Sequence, residues 1–252
     1  MREIQSLARG LLILDIMANS GEGQSVTELA RLLDVDKSTV SRLLKTLENY
    51  GFVQQEKNSR LYRPGKQFYA IGWQVINQHS LRETARPFIH RLAEQTGECS
   101  HIAVYSSGKA MVCDDVQPET SLLRVVGQTG RLLHMHNTAL GKGLLAFGDY
   151  PLPGELPEVT EKTITDIEEL EAHLEEVRTI GYALDDEENE VGVRCIAAPV
   201  YNDTGIVIGV IGISGPTIRL RQDLVDEYAT LVVKTGYELS RELGFDGVYP
   251  SS

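Results

Sequence analysis

The chain has 252 residues, 42% of them hydrophobic, and a formal net charge of −12. That length allows one large or two ordinary domains with real cores, and no run of eighteen apolar residues is present to span a membrane. Three widely spaced cysteines (Cys99, Cys113 and Cys195), with no CxxC, exclude a disulfide framework and a zinc ribbon and fit a reducing cytoplasm.

The N-terminus, MREIQSLARGLLILDIM, has one short apolar stretch interrupted by Asp15 and no small-residue cleavage site, so it predicts a helix rather than a signal peptide. That helix runs from Ser6 to Asn19. Ile4, Leu7, Leu11 and Leu14 recur at helical spacing, and Leu12 and Ile13 widen the face. A stripe that wide can serve an intramolecular core and a partner subunit together. The loop Ser20-Gly21-Glu22-Gly23-Gln24 ends it.

Ser25 to Arg63 reads as two short helices, a tight turn between them, and a two-stranded wing. Ser25-x-x-Glu28 is a capping box, followed by Leu29, Leu32 and Leu33 on one face. Asp34 breaks the run, and Asp36 is placed to cap the next helix, Lys37 to Tyr50. Val40, Leu43, Leu44 and Leu47 form its buried stripe, and Gly51 stands at the C′ position. Its other face carries Lys37, Ser38, Thr39, Ser41, Arg42 and Lys45, hydroxyls and cations suited to phosphates and base edges. Lys57, Asn58, Ser59 and Arg60 form a polar turn between Phe52-Val53 and Leu61-Tyr62, so Lys57 and Arg60 give the wing tip two positive charges. The first eighty residues are thus expected to bind duplex DNA.

Pro64-Gly65 then punctuates the chain, and Lys66 to His79 predicts a connecting helix whose apolar residues, Trp73 among them, meet a second subunit. The expected organisation is a winged helix-turn-helix over 1–64, a linker helix over 65–80 and a second domain over 81–252. Residues 1–80 hold ten Lys/Arg and eight Asp/Glu, while residues 81–252 hold fourteen and twenty-eight, a split of +2 against −14. A near-neutral reader on an acidic body that DNA repels meets the duplex at one end only.

In the second domain, Leu81 to Thr96 predicts a helix, and Cys99–Ser106 and Ala110–Val116 a hairpin across Ser107-Gly108-Lys109. Ser121–Val126 predicts a short strand. Thr138–Gly148 predicts a helix capped by Asn137, and Thr165 or Asp166 caps another that ends at Gly181. Cys195–Asn202 and Ile206–Ser214 form a second hairpin, and a last helix covers Leu220 to Leu243. The order indicates an α+β domain with an antiparallel sheet.

Taken together, the chain resembles the IclR family of transcriptional regulators over nearly its full length. The resemblance is carried by QSLARGLLILDIMA, SVTELARLLDVDKSTVSRLLKTLENYGFV and RLYRPGKQFYAIG in the first half. In the second it is carried by LLHMHNTALGKGLLAF, GYALDDEENEVGVRCIAAPVYND and IGISGP. The signature region keeps Gly181, Asp185, Glu188, Cys195 to Ala197 and Val200 to Asn202, with Ile180 where the strict pattern prefers glycine. The resemblance implies a winged helix-turn-helix fused to a GAF-like effector-binding domain, in homodimers usually paired into tetramers on palindromic operators. It implies a response to small organic acids or aromatics, with repression the favoured sign.

By the same resemblance the effector pocket lies beside the sheet, lined by Leu133, Met135, Ala139, Leu140, Asp185, Val193, Cys195 and Ser214. Gly212 stands where related members often carry serine, which removes one donor. The residue chemistry points the same way: a capped helix start favours an anion, Gly141 and Gly143 admit close approach, and Leu133, Met135 and Val193 add apolar wall. These suit a small carboxylate with a short apolar or hydroxylated body.

Two other readings are weaker. His134-x-His136, the acids Asp185 to Glu188, Cys195 and His101 could be arranged as metal ligands or as a Cys–His pair, but no HExxH or carboxylate motif completes them, and a thiol in an apolar strand is usually inert. No enzyme, cofactor or metal is therefore expected. A pure interaction protein is disfavoured by the +2/−14 split.

Overall fold

The computed structural model describes residues 4–20, 23–56, 59–71, 80–118 and 128–250. The predicted strand at 121–126, most of the connector (72–79), Gly21, Glu22, Lys57 and Asn58 lie outside them. The chain divides into two compact units, Met1–His79 and Ser80–Ser252. No helix among the described residues is long and apolar enough to cross a membrane.

The first unit contains α1 (Gln5–Asn19), α2 (Val26–Leu32), α3 (Lys37–Asn49) and a hairpin of β1 (Val53–Gln55) and β2 (Tyr62–Pro64), followed by helical residues 66–71. Local chemistry sets its boundaries. The Ser25 hydroxyl accepts the Glu28 N–H at 3.1 Å, and the Asp36 carboxylate accepts the Thr39 N–H at 2.8 Å. Gly51 ends α3 at φ +76°, a left-handed turn that glycine adopts without strain. The hairpin pairs Val53 with Pro64 and Gln55 with Tyr62, placing the strands one to two residues later than the sequence suggests.

Ile13, Met17, Leu29, Ala30, Val40, Leu44 and Val53 form the core. The face of α1 turned inward is therefore Gly10-Ile13-Met17, while Ile4, Leu7, Leu11 and Leu12 are exposed. Leu32, expected inside, is also exposed, because α2 is only seven residues long and Leu29 and Ala30 already supply its buried contacts.

The second unit runs α4 (Ser80–Thr96), β3 (Cys99–Ser106), β4 (Lys109–Val116), β5 (Leu132–Leu133), α5 (Ala139–Phe147), α6 (Ile167–Ile180), β6 (Ala183–Asp186), β7 (Val193–Tyr201), β8 (Val207–Pro216) and, after a 3₁₀ turn at Gln222–Leu224, α7 (Val225–Glu242). The six strands form one antiparallel sheet in the order β5-β4-β3-β8-β7-β6. Alternation along the strands feeds two cores. Ile102, Ile196, Ile211 and Ile213 pack with Ile89, Leu92, Val232 and Leu239 of α4 and α7. Ala103, Ala197 and Val210 pack on the other face with Leu144 of α5 and Leu170 and Leu174 of α6. A narrow cavity opens on that second face.

Candidate functional site

In the first unit α3 presents Lys37, Ser38, Ser41, Arg42 and Lys45 to solvent, with Thr39 half-buried. Not all of them offer donors outward. The Ser38 hydroxyl donates to Asp36, and that of Thr39 does so at 2.7 Å, which drives the Asp36 carboxyl far below the usual carboxylate range. Lys45 pairs with Glu48 at 3.0 Å on the same helix. Lys37, Ser41 and Arg42 are left as the outward-facing polar groups of the helix start. On the wing, Arg60 is exposed at φ +58°, where non-glycine residues are uncommon, and its carbonyl accepts from Gln55 at 3.0 Å.

In the second unit a narrow cavity of about 40 Å³ opens where β3, β8, β7 and β6 meet the start of α5. Seven of the eight residues expected around an effector line it: Leu133, Ala139, Leu140, Asp185, Val193, Cys195 and Ser214. Register explains why. Asp185 on β6 sits opposite Cys195 on β7, which sits opposite Ser214 on β8, so the three side chains share one row on one face. Met135 does not line the cavity. It is 2% exposed and belongs to the core with Leu144 and Leu145.

The expected capping of α5 is also corrected. Thr138, not Asn137, is the N-cap: its hydroxyl accepts from Gly141 N–H at 3.0 Å and donates to the His134 carbonyl at 2.6 Å. Asn137 is fully buried instead, with no partner for its amide among the described residues. The close approach at Gly141 is made by protein rather than left for a ligand, since a Cβ there would meet Met135 Cα at 2.4 Å.

The electrostatics centre on Asp185. Burial, and then Glu188, push its carboxyl up to about 7, against the opposing pull of Lys142 and of the Glu188 N–H at 2.8 Å. Lys142, itself fully buried, pairs with Glu188 and donates to His173 Nε2 at 3.1 Å. Burial and that lysine bring His173 down to about 4. Cys195 Sγ accepts from the Ser214 hydroxyl at 3.0 Å, and burial pushes its thiol well above the usual range, which suits a wall and not a nucleophile. His134 Nδ1 lies 2.9 Å from the Lys109 ammonium, and His136 Nε2 lies 3.1 Å from the Pro157 carbonyl. A cation bound by this pair would face Lys109.

Sequence reasoning did not place His101 in the effector site, and it missed Gln128, Arg131, Thr138, Asn189 and Glu190, which line the same cavity. It also missed Lys142, which reads as a surface cation until β6 and its following turn deliver Glu188.

Comparison with known proteins agrees across both units. Residues 6–57 match the IclR helix-turn-helix domain and residues 73–241 the bacterial transcriptional regulator IclR C-terminal domain. The chain is 35% identical over 250 residues to the HTH-type transcriptional repressor AllR of Klebsiella pneumoniae, covering 95% of this chain and 90% of that protein. Thermotoga maritima IclR is structurally similar, with a TM-score of 0.72 at 29% identity over 96% of this chain and 100% of that one. An IclR homolog from Microbacterium hydrocarbonoxydans, solved in complex with 4-hydroxybenzoate, shares the fold with a TM-score of 0.79 at 20% identity, covering 94% of this chain and 98% of that one.

Proposed function

This chain belongs to the IclR family of DNA-binding transcriptional regulators, and on that premise we propose that it is a cytoplasmic repressor that holds a palindromic operator and releases it when a small carboxylate enters the cavity under α5. The family is one of regulators, not enzymes. Repression follows the relatives named AllR, and a carboxylate ligand is in keeping with the acid bound by the Microbacterium hydrocarbonoxydans homolog. In this reading residues 1–64 read DNA, 65–80 connect, and 81–252 sense.

One observation carries the effector assignment: the first turn of α5, the Ser214 hydroxyl and a carboxyl held near neutrality, Asp185, converge on a single cavity. A helix start favours a carboxylate, and a protonated Asp185 tolerates one where an ionised acid would repel it. Leu133, Ala139, Leu140, Val193 and Cys195 supply the wall.

Lys37, Ser41 and Arg42 on α3 are the base and phosphate readers, with Ser38, Thr39 and Lys45 beside them and Lys57 and Arg60 on the wing. A homodimer, paired into a dimer of dimers, brings two such helices to major-groove faces about 34 Å apart. The exposed apolar residues of α1, Ile4, Leu7, Leu11 and Leu12, support a second subunit against that helix. Effector binding biases the helix spacing by a coupling of about 1–3 kcal/mol.

The test is capture of sheared genomic DNA by the purified protein at one moderate salt concentration, followed by sequencing, with and without short carboxylic acids. Enrichment of a palindromic site that an acid abolishes is the expected result. Enrichment indifferent to every acid removes the carboxylate from the reading, and no enrichment in either condition removes operator binding.

A further inference from the structure

Among the described residues, His101 is the one buried cavity-lining side chain with two polar atoms and no protein partner for either. It is 2% exposed, and neither ring nitrogen has a hydrogen bond there. Register shows why no described neighbour satisfies it. His101 on β3 lies between Asp115 on β4 and Gly212 on β8, in the row beside Ser214, Cys195 and Asp185 and on the same face. Gly212 has no side chain to offer, and a Cβ there would meet the Ile196 carbonyl oxygen at 2.4 Å. Asp115 is already occupied: one of its oxygens accepts from the N–H groups of Gln128 and Thr129 and from the Thr129 hydroxyl, the other from Gln117. A buried polar group left unmade is costly, and folded proteins rarely keep one without a use.

We propose that His101 reads a hydroxyl group on the effector, so that the cavity selects a short hydroxylated carboxylate over its deoxy counterpart. This rests on the reading of the cavity as a carboxylate site. A neutral imidazole has one N–H and one bare nitrogen. A ligand carbonyl answers only the first, a methyl group neither, and a hydroxyl can donate to the bare nitrogen. The carboxylate end of the ligand is served by the α5 N-terminal turn and Arg131, so the imidazole is left for the substituent. A cavity of about 40 Å³ restricts that ligand to a few heavy atoms.

Calorimetric titration of the full-length protein with glycolate, lactate, pyruvate, acetate and propionate tests this. Glycolate is expected to bind about tenfold tighter than acetate, and lactate about tenfold tighter than propionate, as one hydrogen bond in a desolvated site would give. His101→Leu should erase both ratios, and His101→Gln, which keeps a donor and an acceptor, should retain some of each. Equal affinities for hydroxy and deoxy acids in the wild type overturn the inference, as does pyruvate binding as tightly as lactate or a preference that survives in His101→Leu. Should His101→Leu not fold, the ring nitrogens of His101 in the wild type are expected to shift in NMR spectra on addition of glycolate, and an unmoved ring overturns the inference. If no acid binds and the amides of Ala139 and Leu140 stay unmoved, the carboxylate site itself falls and the inference with it. If those amides move and the ratios are flat, the site stands and only the role of His101 falls.

Discussion

Asp185 has lost its water to the fold without gaining a cation of its own, since Lys142 is paired to Glu188. Its folded pKa, about 7, lies above the ordinary 3.8. Between those values the folded state keeps a proton that the unfolded state has released, so stability falls as pH rises through that window and the penalty is complete above it. Asp185→Asn should therefore gain in Tm over the wild type from pH 5 to pH 8, and a constant difference would refute the assignment. A bound carboxylate, added to the surrounding Glu188, Glu190, His101, Arg131 and Lys142, would raise Asp185 further. Acid binding should then take up a proton near pH 8, measurable by titration in buffers of different ionisation heat. At His101, replacement of an unsatisfied imidazole by leucine should stabilise the ligand-free protein by about 1 kcal/mol. On α3, Arg42→Ala should weaken operator binding roughly ten- to a hundredfold with Tm unchanged, and normal operator affinity would remove Arg42 from the reading face.

At the scale of elements, α5 depends on Thr138, whose hydroxyl both closes the first turn and ties it to His134. Thr138→Val should cost about 1–2 kcal/mol of stability and weaken acid binding, since it loosens the turn that faces the cavity. Asn137 and Thr138 are both good caps by residue type, and sequence cannot choose between neighbours. The choice is made by packing, which buries Asn137 completely. Helix boundaries that rest on local chemistry were legible: Ser25 and Asp36 cap, and Gly51 and Gly181 terminate, while the choice between Thr165 and Asp166 falls to Asp166 only in the structure. Which side of α1 faces inward was not, because Ile13 and Leu11 are equally apolar and only α2 and α3 decide between them. The same holds for the cavity. Asp185, Cys195 and Ser214 were found through motif resemblance, whereas His101 enters only through the β3–β8 register and Lys142 only through a partner 46 residues away.

For the molecule as a whole, the −14 carried by residues 81–252 makes DNA association depend on the few cations of the first unit. Operator affinity should fall at least a hundredfold, roughly, between 50 and 200 mM salt, and a flat salt response would argue that phosphate contacts are not what holds the complex. The sheet imposes a different kind of constraint. Gly212 sits on β8, with β3 on one side and β7 on the other, and its bare Cα lies against the Ile196 carbonyl. A serine there would have to displace a central strand from its neighbour before it could touch a ligand. A hydroxyl at this position is therefore expected to need a backbone shift as well as a substitution. If the cavity takes an effector, its selectivity is expected to change more readily at lining positions such as His101 and Leu133, where a side chain already faces the cavity.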